Sequence, residues 1–235
     1  MIQITHYTYG MNIMVLTLYK LDASPPVRAV LMTIEALKIP DVNYVDVNLI
    51  EGEHFKEEYL DKKVWDDVFI MFHSVNMNLN YGKNILICSH AIAGYLISTY
   101  GADDSLYPQD PKKRAIIDQR LHFDSGILFP ALREAAVSYW NTSLLILYLI
   151  KEILISYDFA EKFLTSPWIA GNEVTLADIS CVSTISSMNL ILPIDENKYK
   201  NLSAWLKRCS QLEFYKAKND PGLTQLRDLL NSKLQ

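Results

Sequence analysis

The sequence has few cysteines and no excess of basic charge, and each shortage excludes a class of protein. Its three cysteines, Cys88, Cys181 and Cys209, are widely spaced and odd in number, so they form no disulfide framework and no pair with metal-ligand spacing. The formal net charge is −5 and the basic residues are scattered, which gives no indication of nucleic-acid binding. These features are typical of a protein in a reducing compartment.

Long hydrophobic runs are also lacking. Residues 1–13 have neither the basic start nor the apolar centre of a signal peptide. Residues 144–155 are very apolar, but Lys151 and Glu152 interrupt them, and a membrane-spanning helix needs about 20 apolar residues. We interpret this segment as a buried helix and predict a soluble intracellular protein without a membrane partner.

The first hundred residues mix strand and helix patterns. An apolar series at helical spacing follows Ser24, and Ser89 is predicted to cap a second helix. Residues 53–60 are predicted to form a short helix between them. Strands are predicted at 14–20 and 42–48, and a hairpin at 75–79 and 85–88 around a turn at 80–83. This order is that of a thioredoxin-like α/β domain.

From residue 103 the composition changes to that of a linker, and everything beyond it has helical patterns. Thr175 and Asp178 resemble a capping box with Asp in place of Glu. The patterns predict an α/β domain at 14–102, a linker at 103–111 and an all-α helical bundle at 112–235. The predicted apolar helix faces contain Ala177, Cys181, Ile185 and Met188, and Leu202, Trp205, Leu206 and Cys209.

Ser24 stands between the first strand and its helix, in the sequence LDASPPVRA. It occupies the N-cap position, and Pro25 takes the first helical turn, where its missing N–H costs nothing. A hydroxyl beside free N–H groups and the positive helix end stabilises an anion such as a thiolate. The alternative is an ordinary helix start without a ligand.

Several motifs together resemble the cytosolic glutathione transferases, most closely the insect epsilon and delta classes. The similar segments are LYKLDASPPVRAV, NLIEGEH, SHAIAGYL, DDSLYP, LHFDSGILF, WIAGNEVTLADIS and the tail from YKNLSAWLKR. They occur in the family's order over most of residues 14–228. The resemblance implies that glutathione is the co-substrate, that its sulfur is conjugated to small hydrophobic electrophiles, and that Ser24 hydrogen-bonds the sulfur. Free thiols are mostly protonated at neutral pH, so such an enzyme must favour the thiolate.

The resemblance also implies further glutathione contacts. His54 matches a histidine at the glycyl end, and Ser89 matches the serine that binds the γ-glutamyl carboxylate. His90 is a candidate to assist Ser89, and Arg133 matches an arginine of the active-site cleft. The alternatives are solvated or surface roles for His54, His90 and Arg133. Phe123, Ile127 and Phe129 are candidates for the electrophile pocket, with a place in the hydrophobic core as the alternative.

The chain departs from the family pattern before the hairpin. His73 and Val75 align with the residues that hold glutathione's cysteinyl unit, but Asn76 replaces the proline that follows a cis bond in the family. A non-proline bond adopts cis only at a cost of roughly 3–4 kcal/mol, so we expect Asn76 to be trans and the Val75 backbone to be misaligned. An apolar insert lies at 64–72. Cys88 replaces an acidic residue, and we interpret it as the end of a buried hairpin strand.

Two functions therefore remain open. The first is a detoxifying glutathione transferase, cytoplasmic and homodimeric by resemblance, with no metal or nucleotide. The second is a non-catalytic transferase-fold protein that binds hydrophobic ligands or has a structural role, favoured by Asn76 and Cys88. A thioredoxin-type reductase is excluded because no Cys-x-x-Cys motif is present. Residues 1–13 precede the family's usual start, and we hypothesise that they and residues 64–72 reflect misread gene boundaries.

Overall fold

The structure is a computed structural model. It describes residues 2–5, 15–48, 51–53, 79–81, 84–86, 88–139 and 146–232. The predicted helix at 53–60 and the insert at 64–72 lie almost wholly outside these ranges.

A five-stranded mixed sheet forms the first part of the molecule, in the order β3-β2-β1-β4-β5. β2 and β3 pair in parallel, with Leu18 opposite Tyr44. The strands predicted at 14–20 and 42–48 are thereby confirmed, with ends shifted by one or two residues. The strand bounds are β1 Ile2–Thr5, β2 Val15–Lys20, β3 Val42–Asp46, β4 Leu79–Tyr81 and β5 Asn84–Leu86.

The first strand was not expected from the sequence. β1 pairs antiparallel with β2 and parallel with β4, and so separates these two strands. Ile2 and Ile4 alternate with Gln3 and Thr5, which is the period of a strand, but the run has only four residues. The predicted α/β range 14–102 does not include this strand, and the division into domains stays a prediction.

The hairpin is confirmed, but its predicted turn is wrong. Asn80 and Tyr81 belong to β4, where Tyr81 pairs with Asn84. β4 thus extends into the segment 80–83 that was predicted as the turn, and β5 begins directly after that segment. Cys88 is also misplaced by the prediction, because it is exposed and stands at the N-cap of the following helix.

Two helices cover the sheet. α1 (Pro25–Ala36) begins with Ser24 at its N-cap and Pro25 in its first turn, as predicted. α2 (Ser89–Tyr100) starts one residue earlier than predicted, so Ser89 is its first residue and not its cap. Burial of each large aliphatic side chain stabilises such a layer by roughly 1.5–3 kcal/mol. The buried cluster between sheet and helices consists of Leu16, Leu18, Val27, Val30, Leu31, Ile34, Ile92 and Leu96.

The rest of the described chain consists of helices and the loops that join them. A π-helical segment, Asp124–Leu128, joins α3 directly to α4, and a second one, Tyr215–Asn219, leads into α8. α3 begins at Pro111, the last residue of the predicted linker, because Asp110 caps it by accepting from the N–H groups of Lys112 and Lys113. The bounds are α3 Pro111–Phe123, α4 Phe129–Tyr139, α5 Ile146–Phe163, α6 Leu176–Ile191, α7 Lys200–Cys209 and α8 Asp220–Ser232.

α6 lies at the centre of the larger core. Every residue from position 176 to 188 is buried, and the predicted capping box of Thr175 and Asp178 is present. The predicted apolar faces are confirmed, since Cys181 and Trp205 are fully buried. In α5, Ile153 and Tyr157 are buried as well. Of the helices in the described ranges, none is both long enough and apolar enough to cross a membrane.

Candidate active site

The sheet topology brings two helix starts to one edge. β5 is antiparallel to β4, β4 is parallel to β1, and β1 is antiparallel to β2, so β5 and β2 run in the same direction. Ser24 follows the carboxyl end of β2, and Ser89 follows that of β5. Both serines therefore stand at the same edge of the sheet, and α1 and α2 pack side by side. Helix N-termini gathered in this way form an anion-binding edge.

Ser24 has a hydroxyl that its own helix does not use. The N–H of Ser24 donates to the Leu21 carbonyl at 2.9 Å, and the N–H of Arg28 donates to the Ser24 carbonyl at 3.0 Å. The side chain makes no capping hydrogen bond to α1, although Ser at the N-cap ordinarily does so. The side chain is half-buried. A hydroxyl placed in this way is free to donate to a ligand.

The loop before Ser24 is held by charge. Lys20 Nζ lies 2.9 Å from Asp22 Oδ2 and 2.7 Å from Asp46 Oδ1. Burial lowers the pKa of Lys20, but the hydrogen bonds to Asp46 and Asp22 outweigh it, and the net pKa is raised. Lys20 therefore stays protonated and paired with its two carboxylates. It stabilises the loop before Ser24 and does not bind a ligand anion.

At the second helix start, Ser89 and His90 are both half-buried. Cys88 stands at the N-cap and makes no side-chain capping bond. The first N–H groups of a helix have no partner within the helix, so those at the start of α2 suit a carboxylate. This is the chemistry expected for the γ-glutamyl end of glutathione at Ser89.

His90 lies in a small polar cluster that the sequence did not indicate. Its Nε2 is 2.7 Å from Ser180 Oγ and 3.1 Å from Asp124 Oδ2, and Ser180 Oγ donates to Asp124 Oδ2 at 2.5 Å. Because the hydroxyl has a single proton, it is Nε2 of His90 that donates to Ser180. His90 is thus neither a simple surface histidine nor free to reach a ligand through Nε2.

Asp124 and Ser180 were missed, although both lie in segments that resemble the family. Asp124 is the first residue of the π-helical segment Asp124–Leu128, and its Oδ1 is buried without a hydrogen-bond partner among the described residues. π-helical turns are frequent at functional sites. The contact could not have been found from spacing, because Ser180 and His90 are 90 positions apart.

The three pocket candidates on the α3–α4 helix have different positions. Phe123 is buried and contacts the ring of Phe163 edge-on, with ring centroids 5.0 Å apart. Phe129 is partly buried against the core. The core alternative thus holds for these two. Ile127 is 38% exposed and belongs to no described core cluster, so it alone among the three presents an apolar surface to solvent.

The remaining candidates are placed only in part. Arg133 lies half-buried on α4. His54, His73, Val75 and Asn76 lie outside the described residues. Within the ranges described, no group of three or more His, Cys, Asp or Glu side chains is arranged to hold a metal ion.

Comparison with solved structures defines the class of fold. An epsilon-class glutathione S-transferase from the housefly, Musca domestica, superposes with a TM-score of 0.82 at 40% identity, over 92% of this chain and 97% of that one. A glutathione transferase homolog from Drosophila mojavensis with bound glutathione gives a TM-score of 0.83 at 42% identity, over 92% and 96%. The fold is therefore that of the glutathione transferases, an α/β thioredoxin-like part followed by an all-α part.

Sequence relatives narrow this class to a family. Glutathione S-transferase 1 of Manduca sexta is 59% identical over 224 residues, which are 94% of this chain and 100% of that protein. Glutathione S-transferase D7 of Anopheles gambiae is 32% identical over 93% of this chain and 98% of that protein. The profile of the glutathione S-transferase C-terminal domain matches residues 143–213. The chain belongs to the glutathione S-transferase family, and the resemblance to its insect epsilon and delta classes is confirmed.

Proposed function

We propose that this protein conjugates the glutathione thiolate to small hydrophobic electrophiles, with the Ser24 hydroxyl donating to the sulfur. The observation that carries the proposal is that the Ser24 hydroxyl makes no capping hydrogen bond to α1, although it stands at the start of that helix at the edge of the sheet. The 59% identity to a glutathione S-transferase over nearly the whole chain supports the same activity.

The reaction needs little covalent chemistry from the protein. The thiol proton leaves to solvent, the Ser24 O–H donates to the resulting thiolate, and the N-terminus of α1 adds its positive end. The sulfur then forms a bond to the electrophilic carbon, and the leaving group departs with the electron pair of the bond that breaks. Catalysis comes from the supply of a thiolate and from its position relative to the electrophile.

The rest of glutathione is assigned by the same proposal. The γ-glutamyl carboxylate binds Ser89 and the N–H groups at the start of α2. His54 is assigned to the glycyl end, and His73 and Val75 to the cysteinyl unit, where Asn76 in place of the family's proline should weaken the Val75 backbone contact. Arg133 supports the site from α4, and His90 supports it through its contacts with Ser180 and Asp124. Among the described residues, Ile127 offers an exposed apolar side chain for the electrophile.

The finer features of the family are part of the proposal. We infer a role in detoxification, a cytoplasmic location and a homodimer, with no metal and no nucleic acid. These follow from similarity to the insect transferases alone. Sedimentation equilibrium at micromolar concentration is expected to give twice the mass of 26.9 kDa, and a monomer would contradict the dimer.

Replacement of Ser24 tests the activity. Ser24→Ala removes the donor to the thiolate, and we expect kcat/KM with a chlorinated nitrobenzene to fall by roughly 100-fold, by analogy with the loss of one oxyanion donor. The ultraviolet absorbance of the thiolate in the glutathione complex should disappear as well. Ser24→Thr keeps a hydroxyl and is the matched control, which should retain most of both signals.

A loss of activity in the Ser24→Ala variant should not arise from a loss of stability. Because the Ser24 hydroxyl makes no capping bond, Ser24→Ala should leave the melting temperature almost unchanged. Calorimetric titration of the wild type should show glutathione binding in the millimolar range or tighter. An absence of binding there would reject the transferase and support the non-catalytic ligand-binding alternative.

A further inference from the structure

Arg28 is a fully buried arginine one helical turn after Ser24. Its side chain is 0% exposed, and it joins α1 to α6 and to the π-helical segment before α8. Nη1 donates to Asn219 Oδ1 at 3.1 Å, and Nη2 donates to the Ser183 carbonyl at 3.1 Å and to Ser187 Oγ. One guanidinium thus connects three elements that are far apart in the chain.

The burial of Arg28 is energetically expensive. No ion pair joins it to a carboxylate in the part of the chain that the structure describes, and its Nε has no hydrogen-bond partner there. Burial lowers the pKa of Arg28 to about 9, which still leaves the guanidinium protonated at neutral pH. A buried charge without a counter-ion is a poor source of stability, because no Coulombic attraction repays its desolvation. Stability alone does not account for an arginine here.

The surroundings of Arg28 connect it to the Ser24 loop. The N–H of Arg28 donates to the Ser24 carbonyl at 3.0 Å, so the two residues share the first turn of α1. Gly222 of α8 packs against Arg28 and against the turn before Ser24: a Cβ at Gly222 would lie 2.6 Å from Arg28 Cδ and 2.1 Å from the carbonyl oxygen of Asp22. The same side chain is therefore packed between the C-terminal helix and the turn that carries Ser24.

We propose that Arg28 is a positioning residue for the thiolate site. Its side chain fixes the first turn of α1 against α6 and the Tyr215–Asn219 segment. The fixed turn then directs the Ser24 hydroxyl toward the glutathione sulfur. This inference rests on the proposed transferase function. Arginine suits the task because its planar fork donates to several acceptors in fixed directions, whereas lysine has a single flexible ammonium. Small displacements of a catalytic group, on the order of 1 Å, lower rates by roughly 100-fold.

Two variants separate positioning from simple packing. Arg28→Lys keeps the positive charge but not the fork, and we expect kcat to fall roughly 10- to 100-fold with a matching loss of thiolate absorbance in the glutathione complex. KM for glutathione should change less than about two-fold, because Arg28→Lys does not alter the start of α2, where the γ-glutamyl carboxylate is proposed to bind. Ser187→Ala removes one hydrogen-bond acceptor of Arg28 and adds no larger side chain, so we expect kcat to fall roughly 2- to 10-fold.

The matched control is Lys218→Met. Lys218 forms a half-buried ion pair with Glu35 at 3.3 Å, so it joins the same two elements as Arg28 and Asn219 but at the far end of α1. We expect wild-type kcat and thiolate absorbance for this variant. If Arg28→Lys and Ser187→Ala keep wild-type kcat and thiolate absorbance, even with a lower melting temperature, Arg28 is merely structural and the inference is wrong.

Failure of the proposed function gives a different result. A wild-type protein that neither binds glutathione nor conjugates an electrophile rejects the transferase activity and this inference together. An active wild type with an unchanged Arg28→Lys variant rejects only the inference. Should Arg28→Lys fail to fold, Ser187→Ala alone decides, because it deletes a single oxygen from a buried helix.

Discussion

Asp178 illustrates how one buried carboxylate joins several elements. Its Oδ2 accepts from the N–H and the hydroxyl of Thr175, and its Oδ1 accepts from the Ile169 N–H at 2.9 Å and from Trp205 Nε1 at 2.8 Å. Burial raises the pKa of Asp178, while these donors act in the opposite direction. The capping box is therefore also a junction between α6, α7 and the loop before α6.

Removal of that carboxylate should be strongly destabilising. Asp178→Ala leaves the buried donors of Ile169, Thr175 and Trp205 without acceptors, and each such donor costs roughly 1–3 kcal/mol. We expect the free energy of unfolding to fall by roughly 3–5 kcal/mol, measured by urea denaturation.

Asp158 provides the matched control for Asp178. It is a half-exposed carboxylate paired with Lys198 at 3.1 Å. Asp158→Ala should change the free energy of unfolding by less than about 1 kcal/mol, because exposed ion pairs contribute little. Equal losses for the two alanine variants would contradict the role of the Asp178 junction.

At the scale of elements, the close approach of α8 to the loop before α1 is the notable contact. Gly222 lies so near the Asp22 carbonyl that any side chain would meet the backbone and not a flexible side-chain end. The contact lets the C-terminal helix pack directly on the turn that carries Ser24. The two elements should therefore respond together to a substitution at Gly222.

Gly222→Ala should push the loop and α8 apart. Overpacking of this kind costs typically about 1–3 kcal/mol, and we expect a lower melting temperature together with a reduced kcat for conjugation. Gly126→Ala is the control, because a Cβ at Gly126 meets nothing within 4 Å and alanine favours a helix. A Gly222→Ala variant as stable and active as the Gly126→Ala variant would contradict the contact.

Elements with local signals were predictable from the sequence. The start of α1 at Ser24 and Pro25 and the capping box at Thr175 follow from residue types within a few positions. β1 was missed because an alternation of four residues is too short to predict a strand, and it forms one here only by pairing with β2 and β4. The ends of the hairpin were misjudged because strand pairing, and not turn composition, decided where each strand stops.

The site was predictable only where its residues follow such signals. The helix starts at Ser24 and Ser89 were predicted to within one residue because each follows a strand, and the role of the two serines in glutathione binding stays a prediction. The bond from Arg28 to Asn219 joins positions 191 residues apart, and the contact of His90 with Asp124 spans 34. No local pattern encodes these pairs, because tertiary packing creates them.

For the whole molecule, the cysteines report on the integrity of the core. Cys181 and Cys209 are buried in it, and burial raises the pKa of both thiols well above the ordinary value. Cys88 is exposed at the start of α2. Since the thiolate is the reactive form and must also be reached, the three thiols should differ sharply in reactivity.

A thiol titration of the native protein should therefore show one rapidly reacting group per chain, and three after denaturation. Cys88→Ser should abolish the rapid phase and leave the slow groups unchanged. Rapid modification of Cys181 or Cys209 in the native protein, located by peptide mapping, would contradict the packing around α6.

The complete burial of residues 176–188 of α6 has a consequence for the timescale on which the molecule opens. A helix with one solvent face can fray or detach while the rest of a fold persists, but residues 176–188 of α6 have neighbours on every side. Opening this helix requires α1, α3, α4, α7 and α8 to separate from it first. Its amide protons should then exchange with solvent only when the whole chain unfolds, so α6 should contain the most slowly exchanging amides of the molecule.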